Sequence, residues 1–282
     1  MSNAATPLEI VDSLGEAGET KADLPAWQLV LRAVLATYLL GAATTLAVMA
    51  QQETGSTIVG ALLFPIGLTL VVLLGLELVT GAYGIVPMSV YERRISAVRC
   101  LRVFWWLIVG HFLGGLASAW MITAVLTGMG TVTGDPTAEG LIDLAVGKTL
   151  DYRAAGAAVG LSWATLSAVL CNWLVVLGVI MGFSSSSTSG KILAIWMPIL
   201  TFFALGYEHA VVNFFVIPAG MMLGAPIGID DWWLWNQIPA LVGNFVGGFV
   251  IAALGLYFSQ RTKFNVAEDA AAREGAGDPP VT

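Results

Sequence analysis

Residues 190–220 read GKILAIWMPILTFFALGYEHAVVNFFVIPAG. The run is longer than the roughly 20 residues that one helix needs to cross a bilayer, and it carries Glu208 and His209 in its middle. An ionisable group at membrane depth is costly and faces a cavity or a partner. Backbone can break at that depth only where protein buries it or water reaches it. The stretch therefore predicts a helix broken near Gly206–His209.

A second stretch carries the same punctuation. Gly75-Leu76-Glu77-Leu78 with Pro87 pairs with Gly206-Tyr207-Glu208-His209 with Pro218, all at one offset of 131 (206 − 75, 208 − 77, 218 − 87). GHFLGG at 110–115 and GNFVGG at 243–248 pair at an offset of 133, with four of six positions identical. Three apolar stretches per half is an odd number, so the halves are expected to run in opposite senses. Inverted repeats with interruptions at matching positions mark transporters and channels whose site lies near the midplane.

Composition agrees with a membrane class. The 282 residues are 57% hydrophobic and 11% charged, with 32 Gly and 10 Trp, and the mean hydropathy is +0.82. A soluble fold of this size cannot hide that much apolar surface. The net charge of −7 argues against nucleic acid as a partner. Cys100 and Cys171 build neither a disulfide framework nor a CxxC metal site.

The expected fold is all-α, with six transmembrane helices near 28–50, 57–91, 103–127, 156–183, 190–223 and 234–259. The second and fifth are broken. The spans form a pore domain over 27–260, with halves of about 27–127 and 156–260. Residues 1–26 are acidic, with Leu8, Val11 and Leu14 at helical spacing, and predict a short amphipathic helix on the membrane surface. Residues 261–282 read as a disordered tail. With the N-terminus inside, 10 of the 12 basic residues fall on the inner side and only Lys148 and Arg153 outside. Both termini are thus expected in the cytoplasm.

The chain resembles the formate/nitrite transporter family over about residues 6–260. The likeness is carried by TPLEIVDSLGEAGETKA (6–22), LELVTG (76–81), CNWLVVL (171–177), the long stretch 190–220 and GNFVGG (243–248). It implies an aquaporin-like protomer in the inner membrane, with a pore in each subunit of a homopentamer. No cofactor is implied. The implied substrates are small monovalent anions and protons: formate first, then nitrite, hydrosulfide, acetate or lactate. By motif position, Thr80 matches the threonine of the flexible loop and His209 the central histidine. Phe202 matches an aromatic of the cytoplasmic constriction, with Leu78 at the loop's apolar face. Asn172, Asn213 and Asn244 match asparagines that line or brace the pore. The chain departs from the pattern at Val79, which stands where Phe is common and so widens the outer constriction. It departs also at Ala82 and at His111, where Asn is usual. The basic residue at the outer mouth is Lys148 or Arg153, and spacing does not choose between them.

The chemistry expected of such a pore follows from solvation. A bare carboxylate in a dry constriction loses hydration worth several kcal/mol or more, whereas the neutral acid loses far less. His209 is the group at either break able to exchange a proton near neutral pH, so it is expected to give or relay one to the anion. The alternative is a neutral imidazole hydrogen-bonded to Thr80 or Asn172 that only shapes the pore. Glu77 and Glu208 are expected as structural acceptors for the backbone N–H groups freed at the breaks. His111 is expected to replace an Asn hydrogen bond rather than act as a second relay. Among rival classes, a metalloprotease lacks HExxH. A b-type haem protein would need His111 and His209 on facing helices. A water- or glycerol-like channel is nearer in architecture, but NPA occurs at neither break.

Overall fold

A computed structural model describes residues 5–260, and all its extended secondary structure is helical. The tail expected beyond Gln260, with Arg261, Lys263 and Arg273, lies outside the described residues. Helix α1 (Pro7–Asp23) opens on a capping box in which the Thr6 side chain accepts from Glu9 N. The Thr6 backbone and hydroxyl in turn hold the Glu9 carboxyl below its usual range. Val11 and Leu14 of α1 are fully buried, in one cluster with Ile85 and Met88. The apolar face of α1 is thus covered by protein.

Helix α2 (Ala26–Thr54) is followed by α3 (Thr57–Leu63) and α4 (Ile66–Leu73), which are separated at Phe64-Pro65. After Leu74–Leu78 the chain resumes as α5 (Val79–Tyr91), then α6 (Ala97–Leu126). Short helices α7 (Pro136–Gly147) and α8 (Leu150–Ala154) lead to α9 (Ala157–Phe183). Then come α10 (Thr188–Ala204), α11 (Ala210–Met222) and α12 (Ile229–Gln260). The last is wound as a π-helix over Trp233–Gln237 and Val246–Leu254. Helices α2, α6, α9 and α12 are long and apolar enough to cross a membrane.

The repeat holds at backbone level. The α3–α4 pair spans Thr57–Leu73 and α10 spans Thr188–Ala204, both ends displaced by 131 (188 − 57, 204 − 73). The ends of α5 and α11 are displaced by the same 131 (210 − 79, 222 − 91). Gly75 and Gly206 close the preceding helices at φ +63° and +69°. Leu76 N donates to Val71 O at 2.9 Å and Tyr207 N to Phe202 O at 3.1 Å, the same helix-ending turn written twice.

Counterpart elements run in opposite directions. The C-terminal part of α2 and the N-terminal part of α9 line one cavity, while Arg32 of α2 and Gly182 of α9 line another. Close packing rests on glycines in the Gly-rich pair. A Cβ on Gly115 would sit 2.2 Å from Phe214 O, and one on Gly247 would sit 2.0 Å from Val169 O. Small residues let helices approach where no water drives them together.

Candidate functional site

Two cavities enter the molecule from opposite ends. One of about 1050 Å³ is lined by Lys148, Tyr152, Phe202, Glu208 and His209. The other, of about 560 Å³, is lined by Lys21, Arg32, Glu77 and Leu78. They are called here the α7 side and the α1 side. Between them the two interruptions meet: Thr80 Oγ1 lies 3.1 Å from His209 Nε2, and both residues are buried.

His209 precedes the first residue of α11, a position whose following N–H groups lack helical partners. Its Nδ1 accepts from Val212 N at 3.2 Å. A nitrogen that accepts carries no proton, so this bonding assigns the neutral ring's hydrogen to Nε2, which donates to Thr80 Oγ1. Phe202 stacks on the imidazole, with ring centroids 5.5 Å apart and planes 16° apart. Phe64 meets Phe202 edge-on at 5.7 Å and stacks on Phe203 at 4.0 Å.

Glu208 is held by side chains. Lys148 Nζ donates at 3.1 Å and Tyr152 Oη at 2.8 Å, while Asn213 Nδ2 and Asn236 Nδ2 donate at 2.8 and 2.9 Å. Glu77 accepts from Lys21 Nζ at 2.5 Å, with Arg32 at 3.8 Å. This corrects the expectation that the two carboxylates take up freed backbone amides. A buried carboxylate needs a counter-charge more than another amide, and a lysine supplies one at each break. The amides go elsewhere: Val79 N donates to His111 Nε2 at 3.0 Å, Glu208 N to Ser167 Oγ at 3.1 Å and Ala210 N to Asn244 Oδ1 at 2.9 Å.

The asparagines brace this centre. Asn172 Nδ2 donates to Thr80 O at 3.0 Å and to Asn244 O at 2.6 Å. Asn244 Nδ2 donates to Ala168 O and Glu208 O. Asn213 reaches both Glu208 and Asn236. Lys148 lines the larger cavity, whereas Arg153 is half exposed and pairs with Asp231 at 2.8 Å. His111 is fully buried, with Nδ1 at 2.8 Å from Thr37 Oγ1. Leu78 and Val79 are buried at the start of α5.

The two filters face different cavities, and Phe202 shares its cavity with Lys148, so the expectations of a cytoplasmic Phe202 and an outer Lys148 do not hold together. Phe202 faces the cavity that holds Lys148, and Leu78 faces the one that holds Lys21. Helix rise explains it. Helix α10 starts beside the smaller cavity, where Lys191 lies, and climbs about 1.5 Å per residue, so its late residue Phe202 reaches the far half. The α3–α4 pair starts at Thr57 beside the larger cavity and runs the other way. If Lys148 marks the outer mouth, Phe202 therefore belongs to the outer constriction and Leu78–Val79 to the inner one.

Tyr152, Ser167, Asn236, Lys21, Thr37 and Phe64 were not singled out by sequence. Lys21 and Lys148 differ by 127 positions, so the 131-residue register does not pair them. No group of three metal-ligating side chains occurs among the described residues.

Comparison with known proteins bears on the whole chain. A family model described as formate/nitrite transporter matches residues 8–258. YrhG of Bacillus subtilis (strain 168), named an uncharacterized transporter, is 37% identical over 267 residues, 89% of this chain and 92% of its own. A probable formate transporter of Methanothermobacter thermautotrophicus is 38% identical over 196 residues, 67% of this chain and 70% of its own. Two solved structures share the fold. An FNT family ion channel has a TM-score of 0.78 at 23% identity and covers 90% of this chain and 100% of its own. A pentameric formate channel with formate bound has 0.69 at 24%, covering 83% and 96%.

Proposed function

The chain belongs to the formate/nitrite transporter family, and we propose that it carries small monovalent anions, formate first, through a pore joining its two cavities. Nitrite, hydrosulfide, acetate and lactate fall in the same size and charge class. The family is one of multi-pass membrane transporters. In this reading the α3–α5 run and the α10–α11 run each make one interrupted crossing. With α2, α6, α9 and α12 they give six crossings in an inverted, aquaporin-like arrangement. Both termini lie on the cytoplasmic side of the plasma membrane, which makes the α1 side the inner one. A homopentamer is supported by the pentameric state named for one solved relative.

The observation that carries the reading is the Thr80–His209 contact set between two lysine-bearing cavities. Lys21 and Lys148 draw an anion toward the centre from either side, and low-dielectric walls concentrate that attraction. Phe202 and Leu78–Val79 then exclude water. In that dry gap the charge is the main barrier, and taking up a proton removes it. Thr80 Oγ1, already accepting from His209 Nε2, keeps its own hydrogen to offer to a carboxylate oxygen. For this the ring first takes up a second proton from water at Nδ1, letting go of Val212 N. The imidazolium then gives its Nε2 proton to the substrate and returns to neutral, and the neutral acid crosses the filter and gives the proton up in the next cavity.

A second reading is favoured by one bond. Because Nδ1 already accepts from Val212 N, a doubly protonated ring has to release the cap of α11. In this reading His209 stays neutral, holds Thr80 and shapes the pore, and the proton travels with the substrate from solution. Formate flux into proteoliposomes after a pH jump separates the two. The relay reading expects His209→Asn to lose most of the acid stimulation. If that variant keeps the wild-type pH profile, the relay is wrong and the neutral ring stands. Swelling in neutral solutes with no anion or pH effect would instead favour a water- or glycerol-like channel.

A further inference from the structure

We infer that His111 is a positioning residue that sets the α1-side constriction by holding the first amide of α5. The inference deepens the transport reading above, because it concerns the aperture of that same pore. Val79 opens α5, so its N–H has no partner within the helix, and it is fully buried. His111 Nε2 accepts that hydrogen at 3.0 Å. On the other edge of the ring, Nδ1 lies 2.8 Å from Thr37 Oγ1. Thr37 Oγ1 in turn donates to Ala33 O at 2.8 Å, so its oxygen is left to accept from His111 Nδ1–H.

Every hydrogen in this chain has one direction: Val79 N to His111, His111 to Thr37, Thr37 to Ala33. The ring is a neutral strut between α5 and α2. The second half builds the same brace from a different side chain. Asn244 Oδ1 accepts from Ala210 N at 2.9 Å, and its Nδ2 donates to Ala168 O at 2.8 Å. Ala210 and Ala168 are the 131-offset counterparts of Val79 and Thr37 (210 − 79, 168 − 37). The element held by His111 starts at Val79 and Thr80, with Leu78 immediately before it as the cap; these are the apolar filter and the hydroxyl that meets His209. Slack at Val79 N is therefore slack in the width of the filter.

The test pairs two measurements on the intact protein. One is hydrogen–deuterium exchange of peptides spanning residues 74–83. The other is the lactate-to-formate permeability ratio in proteoliposomes, where lactate is the larger probe. His111→Leu fills the site without an acceptor; exchange is expected to rise at least tenfold and the ratio at least threefold. Thr37→Val leaves the ring but removes its second anchor, and moves both readouts the same way by less. His111→Asn supplies the acceptor used in the other half and is expected to bring both readouts back to within twofold of wild type. Wild-type values in His111→Leu overturn the inference. So does His111→Asn loosening the segment as much as leucine does, since packing of the ring would then be what counts. Should His111→Leu fail to fold, Thr37→Val and His111→Asn still decide. If the wild type carries neither acid, the transport reading fails while the exchange measurement still tests the brace.

Discussion

At the scale of single residues, the buried charge of Glu208 governs the α7 side. Its carboxylate takes a lysine, a tyrosine and two amides, so removing the cation leaves an uncompensated charge in the interior. Lys148→Met is expected to cost about 3–5 kcal/mol, seen as a lower melting midpoint in detergent. Adding Glu208→Gln should recover most of that loss. If Lys148→Met melts like wild type while formate flux falls, the lysine acts on the anion alone and the pair adds no stability. Motif position singled out His209 and Thr80, whose side chains the structure brings within 3.1 Å of each other. It could not choose between Lys148 and Arg153, five positions apart, since only the turn of the chain between α7 and α8 decides which side chain enters the cavity.

At the scale of elements, glycine acts for two different reasons. Gly206 needs a left-handed backbone with open space around it, and Gly115 needs a missing Cβ against the Phe214 carbonyl. Gly206→Ala should cost about 1–2 kcal/mol from the left-handed backbone alone. Gly115→Ala must push α6 and α11 apart and should cost more, about 3 kcal/mol or above, as over-packed interiors do. Comparing the two melting midpoints is the check, and equal losses would mean that the α6–α11 contact yields easily. The 131-residue register was legible in Gly, Glu and Pro alone because each marks a backbone event. The separation of α3 from α4 at Phe64-Pro65 and the π-helical turns of α12 were not. Pro65 has no N–H to carry the helix ladder across the first, but Pro87, Pro198 and Pro218 stay inside continuous helices, so a proline alone does not say which helix separates; no residue spacing marks the π-helical turns. The placing of Phe202 and Leu78 on different cavities was hidden for a related reason: a motif names a position along the chain, while direction of travel decides which cavity it reaches.

At the scale of the whole molecule, the opposed halves make sidedness testable. Both cysteines are buried, so a membrane-impermeant maleimide should leave the wild type unlabelled. Glu53→Cys, at the exposed end of α2, is expected to label in intact cells. Ser189→Cys, exposed at the start of α10, should label only after permeabilisation. The reverse pattern would invert the proposed orientation. The two-fold frame also carries a consequence for kinetics. The backbone repeats with one register, but its fittings do not: His111 and Leu78 in one half stand opposite Asn244 and His209 in the other. A passive pathway with unequal barriers must still come to rest at the same balance of concentrations, voltage and proton supply, whichever side is filled first. What the inequality can set is how soon each direction saturates. Equal and opposite gradients should therefore drive unequal initial currents, a rectification built by dissimilar side chains on a nearly symmetric frame.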